Sequence, residues 1–271
     1  MPATPPQRFL IAPDSFKGTL SAPEVARALA AGVTQAGAEA DLCPVADGGE
    51  GTSAVLRAAL GGEVLRAASH DPLGRPIEAG FTLLADGASA ALDTAAASGL
   101  PLLAPEELDA ERASSYGTGE LIAAAVEAGA TKVILGAGGS ATTDGGLGAI
   151  EALRERGGLR GAGLEILCDV TTSFENAARV FAPQKGADAA AVKRLSARLE
   201  RLAGQLPRDP RGVPMGGCAG GLSGGLWAAF GAELRPGAEQ VLGLLGFDRR
   251  LGAADARSAA RDGVERRPCV V

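Results

Sequence analysis

Phe9-Leu10-Ile11-Ala12-Pro13-Asp14-Ser15-Phe16-Lys17-Gly18 is the stretch on which the fold turns. A short apolar run ends at a proline and gives way to polar and small residues, the pattern of a buried strand opening into a loop. A helix is predicted to follow, because Ser21 and Glu24 have capping-box spacing and Val25, Leu29 and Val33 recur every four residues on one face. The order then returns: a strand expected over 41–45, the loop Ala46-Asp47-Gly48-Gly49-Glu50-Gly51, and a helix from Thr52 carrying Val55, Leu56 and Leu60. Alternation of strand, loop and helix favours an α/β fold with a doubly wound parallel sheet.

Further along, the character changes. Ile77, Ala79, Phe81 and Leu83 alternate with Glu78, Gly80 and Thr82 ahead of the hairpin dipeptide Asp86-Gly87, which predicts antiparallel strands and a second domain. From Thr118 a helical pattern resumes, followed by strands expected at 132–135 and 164–168. Val192, Leu195, Leu199, Leu202 and Leu206 mark an amphipathic helix that packs within the chain, and a further apolar helix is expected to begin near Leu222. Residues 253–271 carry Arg257, Arg261, Arg266 and Arg267 among few large apolar side chains, so they read as a frayed tail.

The 271-residue length leaves room for two domains or one large α/β unit. With 26 basic residues against 32 acidic ones, the formal charge of −6 argues against a nucleic-acid binder. No run of about 18 uncharged apolar residues occurs, which argues against a membrane span. Cys43, Cys168, Cys218 and Cys269 lie far apart without a Cys-x-x-Cys pair, so neither a zinc site nor a disulfide framework is suggested and a reducing cytoplasm is expected. His70 is the single histidine, which makes a serine–histidine hydrolase an unfavourable reading.

Four loops join glycine to carboxylates, hydroxyls or lysine, and each follows an expected strand, where open α/β sheets bind ligands. The first offers Asp14, Ser15 and Lys17. In the second, Gly48, Gly49 and Gly51 clear space around Asp47 and Glu50, whose oxygens suit a hard cation such as Mg²⁺; the plain alternative is a tight turn with Thr52 as helix N-cap. The third, Gly136-Ala137-Gly138-Gly139-Ser140-Ala141-Thr142-Thr143-Asp144-Gly145-Gly146, has the density of backbone N–H groups and hydroxyls of an anion cradle. Gly136-x-Gly138 imitates the start of a nicotinamide-dinucleotide fingerprint, but Ala141 fills the third glycine position. The fourth couples Cys168-Asp169 to Pro183-Gln184-Lys185-Gly186, where Lys185 is placed either to balance phosphate charge or as a solvated lysine.

These motifs, together with Ser115-Tyr116-Gly117-Thr118-Gly119-Glu120-Leu121-Ile122 and Asp71-Pro72-Leu73-Gly74-Arg75, resemble the bacterial type of the glycerate kinase family. The resemblance implies ATP-dependent, Mg²⁺-assisted phosphorylation of D-glycerate to a phosphoglycerate. It also implies a flavodoxin-like domain with an inserted second α/β domain. On that reading 1–68 begins the flavodoxin-like domain, 69–240 is the insertion and 241–271 is the return segment with a tail unlike the family. Asp47, Lys17, Asp144 and Asp169 are the expected catalytic residues. Asp14, Ser15, Gly48, Gly49, Glu50, Gly138, Gly139, Ser140, Thr142 and Lys185 are expected around substrate or nucleotide, and Asp47 and Glu50 around the metal. The resemblance fades after about Asp255, where the family continues into further α/β structure. That break leads to the expectation of a truncated chain with an incomplete first domain, and to the alternative of a relative that binds nucleotide or glycerate without turnover.

Overall fold

The structure, a computed structural model, describes residues 6–258. Two sheets organise it. The smaller is parallel throughout: β1 (Arg8–Ile11) lies between β2 (Glu39–Leu42) and β9 (Ala256–Ser258). The larger has the order β3 (Gly62–His70), β4 (Pro76–Leu84), β5 (Ser89–Asp93), β6 (Lys132–Gly136), β7 (Gly163–Cys168) and β8 (Glu233–Pro236). Its β3–β4–β5 edge is antiparallel and its β5–β8 part parallel, so the expected hairpin forms one side of the same sheet as the parallel strands.

Strand alternation sorts the core into two layers. Val133 and Leu135 of β6 and Leu164 and Ile166 of β7 face α4 (Tyr116–Glu127), α5 (Leu147–Glu155) and the regular part of α8 (Cys218–Phe230). Ile134 and Leu167, one position out of phase, face Val55 and Leu56 of α2 (Thr52–Leu60), Val241 of α9 (Gly237–Leu244) and Leu10 of β1. One apolar layer therefore joins the small sheet to the back of the large one. On the far side of the small sheet, Ala26 and Ala30 of α1 (Ala22–Gln35) cover Ile11. The Glu24 carboxylate accepts hydrogen bonds from Ser21 N at 2.8 Å, the bond that the capping-box spacing predicts, and from Ser21 Oγ at 2.6 Å. A satellite core around Phe174 gathers α6 (Ala177–Phe181) and the expected amphipathic helix, α7 (Ala189–Ala203).

Three boundaries differ from expectation. A division after residue 68 cuts β3, which pairs with β4 along its whole length from Gly62↔Leu84 to His70↔Pro76, so the change of sheet falls before Gly62. A division after residue 240 cuts α9. The tail expected to fray from 253 contributes β9, whose backbone pairs Phe9↔Ala256 and Ile11↔Ser258, because β1 otherwise leaves a row of N–H and C=O groups unpaired. The remaining arginine-containing stretch, 259–271, lies outside the described residues. Among the described residues no helix is long and apolar enough to cross a membrane.

Candidate active site

The loops that follow β1, β2, β6 and β7 converge. In the 47–51 loop, Asp47 Oδ1 accepts from Gly49 N at 2.9 Å, and Thr52 Oγ1 donates to Gly49 O at 2.8 Å. Gly51, with φ of 90°, is the N-cap of α2, so Thr52 is its first helical residue rather than the cap. A glycine offers no side-chain acceptor to the exposed N–H groups of the first turn. Asp93 supplies it from the end of β5: Oδ2 accepts from Gly51 N and Oδ1 from Ser53 N, both at 3.1 Å. Burial pushes the Asp93 carboxyl up to about 7 against those two hydrogen bonds, and the charge of Glu50 adds to the rise.

The 136–146 loop packs backbone to backbone against the 47–51 loop. A Cβ on Gly138 would stand 2.5 Å from Gly49 Cα and 2.9 Å from Glu50 N, and one on Gly48, at φ of 93°, would stand 2.7 Å from Gly237 Cα. The glycines expected to surround a ligand thus also let three chain segments touch. Gly138→Ala must force the loops apart, and overpacking of this kind costs about 1–3 kcal/mol. Urea denaturation should show that loss, with a fall in turnover larger than the destabilisation explains.

Lys185, only 2% exposed, reaches into the same loop and donates from Nζ to Ser140 Oγ at 2.9 Å and Thr142 O at 2.5 Å. Burial brings its ammonium down to about 7, with Asp144 acting in the opposite direction. Lys185 is therefore not the solvated lysine of the plain reading. It lines a cavity of about 90 Å³ with Gly138, Gly139, Ser140, Asp169 and Gly220. The Thr142 hydroxyl is buried without a partner among the described residues. Asp144, expected among the catalytic groups, is committed elsewhere: Oδ2 accepts from Ser115 N and Ser115 Oγ at 2.8 Å, and Oδ1 from Gly146 N at 3.0 Å. At 1% exposure it braces the loop against α4 and α5 and does not line the cavity.

Asp169 lies on the wall of that cavity, within reach of the charges of Asp47 and Lys17. The Asp169 carboxyl is raised first by burial and then by the negative charge of Asp47, while Lys17 draws it down. Glu50 points its influence instead at Asp93. The charge of Asp47 thus bears on Asp169, and that of Glu50 on Asp93. The Asp47 carboxylate fits Mg²⁺, which takes one or two carboxylates and fills its other positions with water and phosphate. No set of three or more His, Cys, Asp or Glu side chains suited to a metal occurs among the described residues, so the protein donors alone make no closed cage. Ser15, Lys17, Glu50 and Gly51 line a second hollow of about 260 Å³. Asp14 turns back onto its own loop, accepting from Ser15 N at 2.6 Å, and lines neither space.

Asp93 and Ser115 complete the site and were not expected in it. Asp93 was legible as a carboxylate closing the apolar run Ala90-Ala91-Leu92, whereas the contact of Ser115 with Asp144 spans 29 residues and has no local signal. His70 stands apart, with Nδ1 3.0 Å from Glu120 Oε2. The nicotinamide fingerprint also fails geometrically, since α5 starts at Leu147, well beyond Gly138.

A sequence model of the glycerate kinase family matches residues 9–157 and 155–257. The chain belongs to the glycerate kinase family. It is 37% identical to glycerate 2-kinase of Escherichia coli K12, over 90% of this chain and 74% of that protein. It is 38% identical to a glycerate kinase of Bacillus subtilis 168, over 92% of this chain and 75% of the relative. A solved structure assigned as glycerate kinase 2 of Salmonella typhimurium LT2 superposes with a TM-score of 0.82 at 34% identity, covering 94% of this chain and 79% of that one. Kinase chemistry of this family is thereby supported, on a fold shared with a family structure.

Proposed function

We propose that the protein transfers the γ-phosphoryl group of ATP to a hydroxyl of D-glycerate, with Mg²⁺, giving ADP and a phosphoglycerate. The observation that carries this reading is the buried Lys185 at the cavity of about 90 Å³, which it lines together with Ser140 and Asp169. Lys185 and Ser140 receive the anionic end of the acceptor. Asp169, on the wall of that cavity, accepts the hydroxyl proton as the new O–P bond forms and the bond to ADP breaks; burial raises its basicity toward that task. Lys17, exposed beside it, neutralises phosphate charge, and the hollow next to Lys17 leaves room for the nucleotide. Asp47 would hold Mg²⁺, which supplies charge neutralisation on the phosphates and leaves Asp169 free as the base.

The test is ADP release by the purified chain with D-glycerate, ATP and Mg²⁺, omitting each in turn. Turnover that requires all three supports the proposal. Binding of ATP or glycerate by folded protein without turnover would replace it with the non-catalytic relative.

Lys185 adds a thermodynamic signature. The glycerate carboxylate in the cavity favours the charged ammonium, so binding of glycerate at pH 8 should take up close to one proton. Calorimetry in two buffers of different ionisation enthalpy measures this, and the uptake should shrink below pH 6, where Lys185 is already charged.

A further inference from the structure

We propose that Asp93 is a positioning residue of the reaction, whose carboxylate holds the 47–51 loop at its working distance from the 138–140 loop. The inference rests on the kinase reading above and adds a residue that touches neither cavity. Its basis is a set of contacts on one strand end. Asp93 receives Gly51 N on one oxygen and Ser53 N on the other. Ser53 Oγ also donates to Ala91 O at 2.9 Å, so the first turn of α2 is fastened to β5 by two side chains from opposite sides. Asp93 is the register partner of Gly136, where a Cβ would stand 2.8 Å from Asp93 Oδ1 and 2.9 Å from Gly49 O. The carboxylate therefore sits at the junction of the two glycine loops.

A glycine N-cap explains why this outside acceptor is needed. With Gly51 in the left-handed region and no side-chain cap, the N–H groups that follow Asp47 and Glu50 take their orientation from Asp93. Releasing them frees the backbone that carries Asp47, while Ser140 and Lys185 stay held by their own bonds. The two halves of the site should then separate in kinetics. A misplacement of about 1 Å in a catalytic group can cost about 100-fold.

The experiment compares wild type with Asp93→Ala and Asp93→Asn, measuring kcat, the KM for glycerate and hydrogen exchange over 48–54. The alanine variant is expected to lose about 100-fold in kcat with the KM for glycerate within about twofold. Its exchange over 48–54 should rise about tenfold or more, with no such rise over α4. Asparagine keeps one acceptor oxygen and should recover part of both quantities. A purely structural role predicts exchange rising across the chain and kcat restored on cooling below the lowered melting point, which would overturn the proposal, as would wild-type kcat in Asp93→Ala. Absence of turnover in the wild type would instead refute the kinase reading itself.

Discussion

Replacing Lys185 with Met is expected to lower kcat/KM for glycerate by about 1,000-fold while relieving the fold of a pH-dependent cost. The activity loss follows from position: among the described residues the ammonium is the only lysine or arginine lining the small cavity, and it is almost entirely buried. The stability effect has a definite sign. Burial depresses the ammonium from 10.5 in the unfolded chain to about 7 in the folded one. Its favourable contribution is thus complete above about 10.5 and is lost as pH falls through about 7. Methionine has no such dependence. Between pH 9.5 and 7 the variant should gain about 3 kcal/mol relative to wild type, at about 1.4 kcal/mol per pH unit. Met also leaves Ser140 Oγ and Thr142 O without their donor, an offset that is the same at every pH. Urea denaturation of both proteins across this range checks the prediction, and a constant difference would contradict it.

What the sequence disclosed, and what it withheld, follows the range of the interactions. β1, α1 and β4 were legible because an apolar period or a capping box is local, as Ser21 and Glu24 show. The loops at strand ends were legible because glycine, carboxylate and hydroxyl stand together in sequence. The limits of β3 were not, since its partner Leu84 is 22 residues from Gly62 and no local period marks where the strand starts. β9 was missed because a parallel edge strand draws its bonds from a distant β1 and needs no apolar run of its own. The same distinction divides the site residues. Asp144 has the type and neighbourhood of a catalytic carboxylate, yet Ser115, remote in sequence, takes it out of the cavity. Asp47 and Glu50 stand three apart in sequence, which does not disclose that the charge of the first bears on Asp169 and that of the second on Asp93. Residue type is readable along the chain; the direction in which a loop presents it is set by partners across the fold.

That divergence of charges gives Asp47→Asn a signature beyond lost rate. Turnover should fall by about 100- to 1,000-fold, the range for removing one preorganised group that stabilises developing charge. Half-saturation with Mg²⁺ should move to higher concentration, because the carboxylate that would hold it is gone. The Asp169 carboxyl should titrate lower than in wild type, since burial remains but the repulsion from Asp47 has been removed. In the residual pH–rate profile the acid limb therefore moves to lower pH as the plateau drops. Lys17→Ala acts with opposite sign, removing the positive charge that draws Asp169 down and moving the limb to higher pH. Combining the two should bring the limb back toward its wild-type position without restoring the rate, because position of the limb reports charge and height reports the groups that hold phosphate. Glu50→Gln supplies the contrast: its charge falls on Asp93, so Asp169 should titrate as in wild type. Carboxyl-carbon NMR titration of Asp169 in wild type and the four variants reads these shifts directly. An acid limb that moved equally in Asp47→Asn and Glu50→Gln would mean that both carboxylates face Asp169 and would restore the pairing that their spacing in sequence suggested.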